Sequence, residues 1–517
     1  MTAPVNGGTA PGLDFTLEID ATRDLGADAS RVEALLTVEA HLAGPAAPAA
    51  RAVEVLIMDR SRSMMGENKI HEARRAACAA IDALPDGVLL GIIAGNRAAE
   101  PVFPRAGGLA PVDAGTRAAA KTQVMRLRPE GGTEIGRWLT AASKLFATGP
   151  GAGFVRHAVL YTDGKNEHET LDELDAALSA CADQFVCDVR GVGGDWHYAE
   201  LRHIAEMLHG DATAVLRVAD LAEDFTQLMR RVQRLVVPRA YLRVQPGGRF
   251  RIGSVAQTYP VRVDLTRHQQ PAGDAAVDVP LGPWEQQTRR YQLSLLFDPA
   301  ALPAGDEVRA ARLELFTESA DGARERRAGE ALVVRRHATP DFRTVVPESL
   351  TRVEKERELS LVMQACVDTW ERGEAAEADG ELNEALRLAR EVRDVRLALL
   401  EDVSFTGQDG RARLRPDVTP GEMQRLALNS TKTTYTAVGA PPAQAARPRD
   451  HEAQPPSGDG PPRADGVPPR AGEGPPRAGE GPPAGDRVCP GCGATTRAAN
   501  PRFCEACGKP LDGGVPS

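Results

Sequence analysis

The sequence predicts a multidomain chain centred on a doubly wound α/β domain. That domain is inserted in an antiparallel β-sandwich and followed by a helical hairpin, a disordered linker and a small metal module. Three observations predict it. Residues 51–237 alternate short apolar runs with segments of helical period, residues 238–340 carry closely spaced runs of alternating apolar and polar residues, and the last part turns to Pro and Gly before paired cysteines. Strands alternating with helices give a parallel sheet covered on both faces, whereas frequent short strands between Gly, Pro and Asp give a sandwich. At 517 residues the chain exceeds a single domain.

Taken in order, Leu13, Phe15, Leu17 and Ile19 alternate with polar neighbours and predict a strand, and a second is expected over 32–42. These N-terminal strands, within residues 12–50, complete the sandwich of residues 238–340. In the α/β domain strands are expected at 53–58, 88–94, 100–103, 155–162, 185–192 and 213–218. Helices are expected at 69–84, 115–127, 135–147, 171–182, 199–209 and 221–236. In the sandwich, Trp284 and Tyr291 read as core. Within residues 345–438, Leu359, Val362, Met363, Cys366, Val367 and Trp370 form an apolar stripe of helical period, Gly373 to Gly380 break it, and Leu382, Leu386, Ala389 and Val392 start a second helix. Residues 439–487 repeat Pro-Pro-Arg-Ala from Pro461, Pro468 and Pro475, and are too poor in apolar surface to fold, so they read as a tether.

Chemistry concentrates where the first strand ends. Val53-Glu-Val-Leu-Ile-Met-Asp59-Arg-Ser61-Arg-Ser63 offers oxygen side chains at i, i+2 and i+4 on the loop leaving a buried strand. Such a set suits a hard cation such as Mg²⁺, which takes oxygen ligands at about 2.0–2.1 Å. Gly131-Gly132-Thr133 and Tyr161-Thr162-Asp163-Gly164 supply two more loops. In a 3-2-1-4-5-6 strand order the first and fourth strands are neighbours at the reversal point, so Asp59 and Asp163 converge there. Singly, these residues are ordinary turn and cap residues; jointly, on three loops at one switch point, they indicate a site.

With those residues in view, residues 53 to about 236 resemble a von Willebrand factor A (VWA) domain. Asp59-x-Ser61-x-Ser63, Thr133 and Asp163 match that family's metal-ion-dependent adhesion site. The resemblance implies that the serines and threonine touch a Mg²⁺ or Mn²⁺ ion, that the aspartates bind directly or through water, and that a partner's acidic group completes the shell. Gly191-Val-Gly-Gly-Asp195 and Leu201-x-x-Ile204-Ala205 fit the family too, while Arg60 and Arg62 stand where many relatives carry small residues.

At the other end, Cys489-x-x-Cys492 and Cys504-x-x-Cys507 form two knuckles whose four thiolates suit tetrahedral Zn²⁺. Residues 488–512 resemble the zinc-ribbon module found at the termini of many bacterial proteins, with the metal as its core. A thioredoxin-like redox pair lacks the surrounding strand–helix context and leaves one pair unexplained.

Other features narrow the function. A net charge of −10 argues against a general nucleic-acid binder. The N-terminus has neither a basic patch nor an apolar stretch, so no secretory signal is expected, and no window is apolar enough to span a bilayer. Cys78, Cys181, Cys187 and Cys366 are scattered and read as small buried hydrophobes, which with a thiolate zinc site predicts a cytoplasmic chain. His197, His203 and His209 recur every six residues and do not share a helix face, so they read as solvated or core histidines. No phosphate-binding loop appears. The expectation is a non-enzymatic protein-interaction module. The alternatives are an accessory subunit of an AAA+ ATPase, a role VWA proteins often have, or nucleic-acid binding by the ribbon, which only Arg497, Arg502, Lys509 and the linker arginines favour.

Overall fold

The computed structural model describes residues 12–42, 51–151, 153–273, 275–319, 322–339, 341–433, 487–488 and 495–496. The chain divides into two compact units, residues 1–445 and 446–517. Of the second, Arg487–Val488 pairs antiparallel with Thr495–Thr496. The predicted linker up to residue 486 and Cys489, Cys492, Cys504 and Cys507 lie outside the described residues.

In the first unit, the apolar run Arg51–Asp59 forms the middle of a sheet ordered Ala212–Val215, Val186–Val192, Phe154–Thr162, Arg51–Asp59, Leu89–Gly95 and Ala99–Phe103. This is the predicted order, with the first and fourth strands of the domain adjacent and parallel. Between the charged Arg51, Glu54 and Asp59 the strand is apolar because both sheet faces are covered: Val55 and Ile57 join one hydrophobic cluster with Trp138, Leu139, Leu178 and Leu201, and Leu56 and Met58 join another with Ala73, Ala77 and Phe225. One correction concerns the edge. Ala99–Phe103 runs antiparallel to Leu89–Gly95, because three intervening residues cannot make the long crossover a parallel pair needs. The sheet is therefore mixed.

Two further sheets share one core. Leu13–Ala21, Arg31–Leu42, Thr288–Phe297, Phe250–Tyr259 and Val263–Asp264 form the first in that order. The second contains Val237–Pro246, Val277–Trp284, Glu307–Glu318 and Arg324–Arg336, with Asp24–Leu25 added in parallel at its edge. Arg31–Leu42, which precedes the α/β domain in sequence, pairs with Thr288–Phe297, which follows it. Leu36, Val38 and Leu293 of the first sheet bury against Leu242, Val279 and Leu313 of the second, and Phe15 meets Trp284 edge-to-face at 5.4 Å. Trp284 and Tyr291 are fully buried, as expected.

The region after residue 345 departs from a simple hairpin. Glu348–Glu371 is followed by Ala375–Val392, Arg396–Asp402 and Pro420–Asn429, with a small strand pair at Ser404–Thr406 and Ala412–Leu414. The break is confined to Arg372–Glu374, where Gly373 takes φ +79°, and Gly380 lies inside the second helix. One interior glycine costs only about 1 kcal/mol, which burial of Ala378, Leu382, Ala385, Leu386 and Ala389 offsets. The apolar stripe Leu359, Met363, Cys366 and Val367 packs into the cluster containing Leu201 and Ile204 of the α/β domain, while Leu350 and Val353 lean on Leu35 of the first sheet. No helix among the described residues is long and apolar enough to cross a membrane.

Candidate metal centre

Three loops beyond the carboxyl ends of the central strands meet through their backbones. Arg60 N donates to Gly95 O at 2.8 Å, Arg62 N to Gly131 O at 3.1 Å, and Glu130 N to Arg60 O at 2.7 Å. The loop carrying Thr133 is thereby stitched to the loop carrying Ser61 and Ser63. The third loop caps the next helix: Asn166 Oδ1 accepts from Ile135 N and Glu169 Oε2 from Gly136 N, at the start of Ile135–Ala147.

The side chains expected to bind metal come together. Ser61 and Ser63 share a hydroxyl–hydroxyl hydrogen bond of 2.8 Å, and Ser63 Oγ donates to Asp163 Oδ1 at 2.7 Å. Asp59 Oδ1 accepts from Ser61 N and its Oδ2 from Thr162 Oγ1, both at 2.7 Å. A Cβ on Gly164 would lie 3.3 Å from Ser63 Oγ and 3.8 Å from Thr133 Oγ1, so both hydroxyls border the same glycine. Asp59, Ser61, Thr133 and Asp163 are buried and Ser63 is exposed, which leaves the group one open side.

The donor set fits a hard divalent ion: two carboxylates and three hydroxyls, without nitrogen or sulfur. Asp163 Oδ2 is fully buried and pairs with the Lys69 ammonium at 2.9 Å. Burial, aided by the nearby Asp163 charge, pushes the Asp59 carboxyl up to about 6 against the hydrogen bonds from Ser61 and Thr162.

Sequence reasoning missed two participants. Thr162 fixes Asp59, and Lys69 pairs with Asp163 and, at 3.0 Å, with Asp195 Oδ2. Its signal was present, because Lys69 stands on the buried stripe of its helix with Ala73, Ala76, Ala77 and Ala80. Arg60 turns away from the carboxylates to Glu130 (2.5 Å) and Glu100 (3.3 Å), and Arg62 is exposed.

A doubly wound sheet with oxygen donors gathered at its reversal point defines the class of metal-ion-dependent adhesion folds. The von Willebrand factor type A domain model matches residues 54–214. A von Willebrand factor type A protein from Catenulispora acidiphila is 30% identical, with a TM-score of 0.76 over 83% of this chain and 99% of that one. The ArnB paralog VWA2 from Sulfolobus acidocaldarius is 14% identical with a TM-score of 0.50, over 81% of this chain and 98% of that one, and shares the fold. No curated protein matches the chain. The chain belongs to the von Willebrand factor type A family. Domains of this family are typically interaction modules that bind a divalent metal at the adhesion site.

Proposed function

We propose that the chain is a non-enzymatic, cytoplasmic protein-interaction module that captures an aspartate or glutamate of a partner protein. The capture site is a Mg²⁺ or Mn²⁺ ion held by Asp59, Ser61, Ser63, Thr133 and Asp163. In this reading the α/β domain is carried as an insertion in a β-sandwich, and Cys489, Cys492, Cys504 and Cys507 hold a structural Zn²⁺ in a tethered ribbon. The observation that carries it is the hydrogen-bonded run Ser61–Ser63–Asp163, which gathers oxygen donors from two loops at one partly open point beside the buried Asp59 and Thr133. A bound divalent ion supplies the positive charge that a partner carboxylate meets. The chain's own residues orient it: Thr162 and the Ser61 N–H fix Asp59, and the Gly131 and Glu130 backbone holds the Thr133 loop against the serine loop. Three of the five donors are neutral hydroxyls, and where the aspartates bind through water the ion keeps most of its charge for a partner carboxylate.

The test is Mn²⁺ titration calorimetry on the full chain, followed by partner capture in Mg²⁺ and in EDTA. Ser63→Ala is expected to weaken Mn²⁺ at least tenfold, and both EDTA and Asp59→Ala to empty the captured set. A captured set unchanged by EDTA and by Asp59→Ala would reject metal-bridged recognition.

A further inference from the structure

Away from the adhesion site, three segments distant in sequence bring a carboxylate and two imidazoles together. Asp183 follows the helix Leu171–Cys181, His209 follows Tyr198–Met207, and His268 ends the turn Thr266–His268. That turn links Val263–Asp264 of the first sheet to Gln270–Pro271 of the second. One donor atom from each of Asp183, His209 and His268 lies within 4.8 Å of the other two. We propose that these three side chains form a second metal site, for Zn²⁺, that clips the α/β domain to the two-sheet body.

The geometry carries this in three ways. His209 Nε2 is hydrogen-bonded to Asp183 Oδ1 at 3.0 Å, and an ion replacing the shared proton needs the pair to open only to the roughly 3.4 Å that separates donors about 2.0–2.1 Å from a tetrahedral ion. The His268 ring packs against His209 with centroids 4.8 Å apart, yet makes no hydrogen bond among the described residues, although it is buried. An imidazole placed beside a carboxylate and a second imidazole, and spending neither nitrogen on a hydrogen bond, is a ligand in waiting. Asp183 and His209 also both take left-handed backbone angles, φ +60° and +54°, where glycine is the easier residue.

Donor chemistry selects the ion. Two nitrogens and one carboxylate suit Zn²⁺, whereas Mg²⁺ prefers an all-oxygen shell. Gln270 Nε2 donates to Asp183 Oδ2 at 2.7 Å and orients the carboxylate, the supporting contact such sites use.

The experiment uses the full chain with Cys489, Cys492, Cys504 and Cys507 changed to Ser, in excess Mg²⁺ to occupy the oxygen-donor site. Co²⁺ and Zn²⁺ are titrated by calorimetry, and the Co²⁺ visible spectrum is recorded. About one equivalent is expected, with d–d bands and no thiolate charge-transfer band, and a melting temperature raised by Zn²⁺. His268→Gln and the near-isosteric Asp183→Asn should each weaken binding at least tenfold, while Asp59→Ala leaves it unchanged. Circular dichroism of the metal-free variants checks that they fold. Absence of the equivalent in the parent, or equal affinity in parent, His268→Gln and Asp183→Asn, overturns the proposal.

Discussion

Lys69 Nζ lies 2.9 Å from Asp163 Oδ2 and 3.0 Å from Asp195 Oδ2, joining a fully buried carboxylate to an exposed one. An ammonium therefore stands at the oxygen a divalent ion would seek, so a bound ion would compete with Lys69 for it. Lys69→Met removes the tethered competitor. Without metal the variant should be less stable, because a buried carboxylate left unpaired costs about 3–5 kcal/mol. With Mg²⁺ it should regain more stability than the parent does and bind the ion more tightly. Melting curves at increasing Mg²⁺ measure both effects, and identical Mg²⁺ responses in parent and variant would refute the competition.

Gly95 ends the strand whose carbonyl receives Arg60 N, and a Cβ there would sit 2.4 Å from the buried Trp138 ring. Trp138 cannot give way easily, since its Nε1 donates to Asn96 O at 2.6 Å and its ring lies in the main cluster. Gly95→Ala should lower stability by about 1–3 kcal/mol, the usual cost of overpacking. It should also weaken Mn²⁺ binding by shifting the serine loop. Urea midpoints and Mn²⁺ titration check the two consequences; an unchanged midpoint would show that the ring is not wedged.

The convergence of Asp59 and Asp163 was legible because strand order follows from a local alternation of apolar runs and helices, and both residues directly follow two of those runs. Their partners were not. Thr162 looks like one more strand residue until its hydroxyl is seen to reach Asp59 across the strand pair. The antiparallel direction of Ala99–Phe103 depends on the length of a turn, and apolar pattern does not encode strand direction. Glycine misled at Gly380, where tertiary burial of the flanking alanines and leucines outweighs the propensity cost. His209 was read by helix periodicity alone, but its neighbours Asp183 and His268 come from segments 26 residues before it and from beyond the domain.

Arg396 is buried and forks onto Asp394, with Nε to Oδ1 and Nη2 to Oδ2 both at 2.8 Å. Its Nη1 also reaches Ser360 Oγ at 2.7 Å and the Ser430 carbonyl, tying Glu348–Glu371 to the end of Pro420–Asn429. Arg396→Met leaves Asp394 charged, buried and unpaired, and should cost about 3–5 kcal/mol. Adding Asp394→Leu removes the stranded charge and should recover a large part of that loss. Urea unfolding of the single and double variants decides this. A double variant no more stable than the single one would mean that the lost helix ties, rather than the unpaired carboxylate, carry the cost.

His157 lies on Phe154–Thr162 between Glu54 Oε2, at 2.8 Å on one neighbouring strand, and Asp188 Oδ2, at 3.2 Å on the other. Burial alone would discharge the ring, but the two carboxylates overcome it and push the imidazole up to about 10 from its ordinary 6.5. A pKa raised on folding means that the folded state holds the proton more tightly. The contribution is therefore complete below pH 6.5 and is lost as pH rises through about 10. The urea midpoint should fall steadily between pH 7 and pH 10. His157→Gln should start lower at pH 7, by about 3–5 kcal/mol for a broken buried pair, and the gap from the parent should narrow as pH rises. Lysines, tyrosines and cysteines that titrate in the same range affect both proteins alike, so the difference between them isolates the ring. A gap that stays constant from pH 7 to pH 10 would mean that His157 is neutral in the folded chain and that the two carboxylates are balanced by another charge.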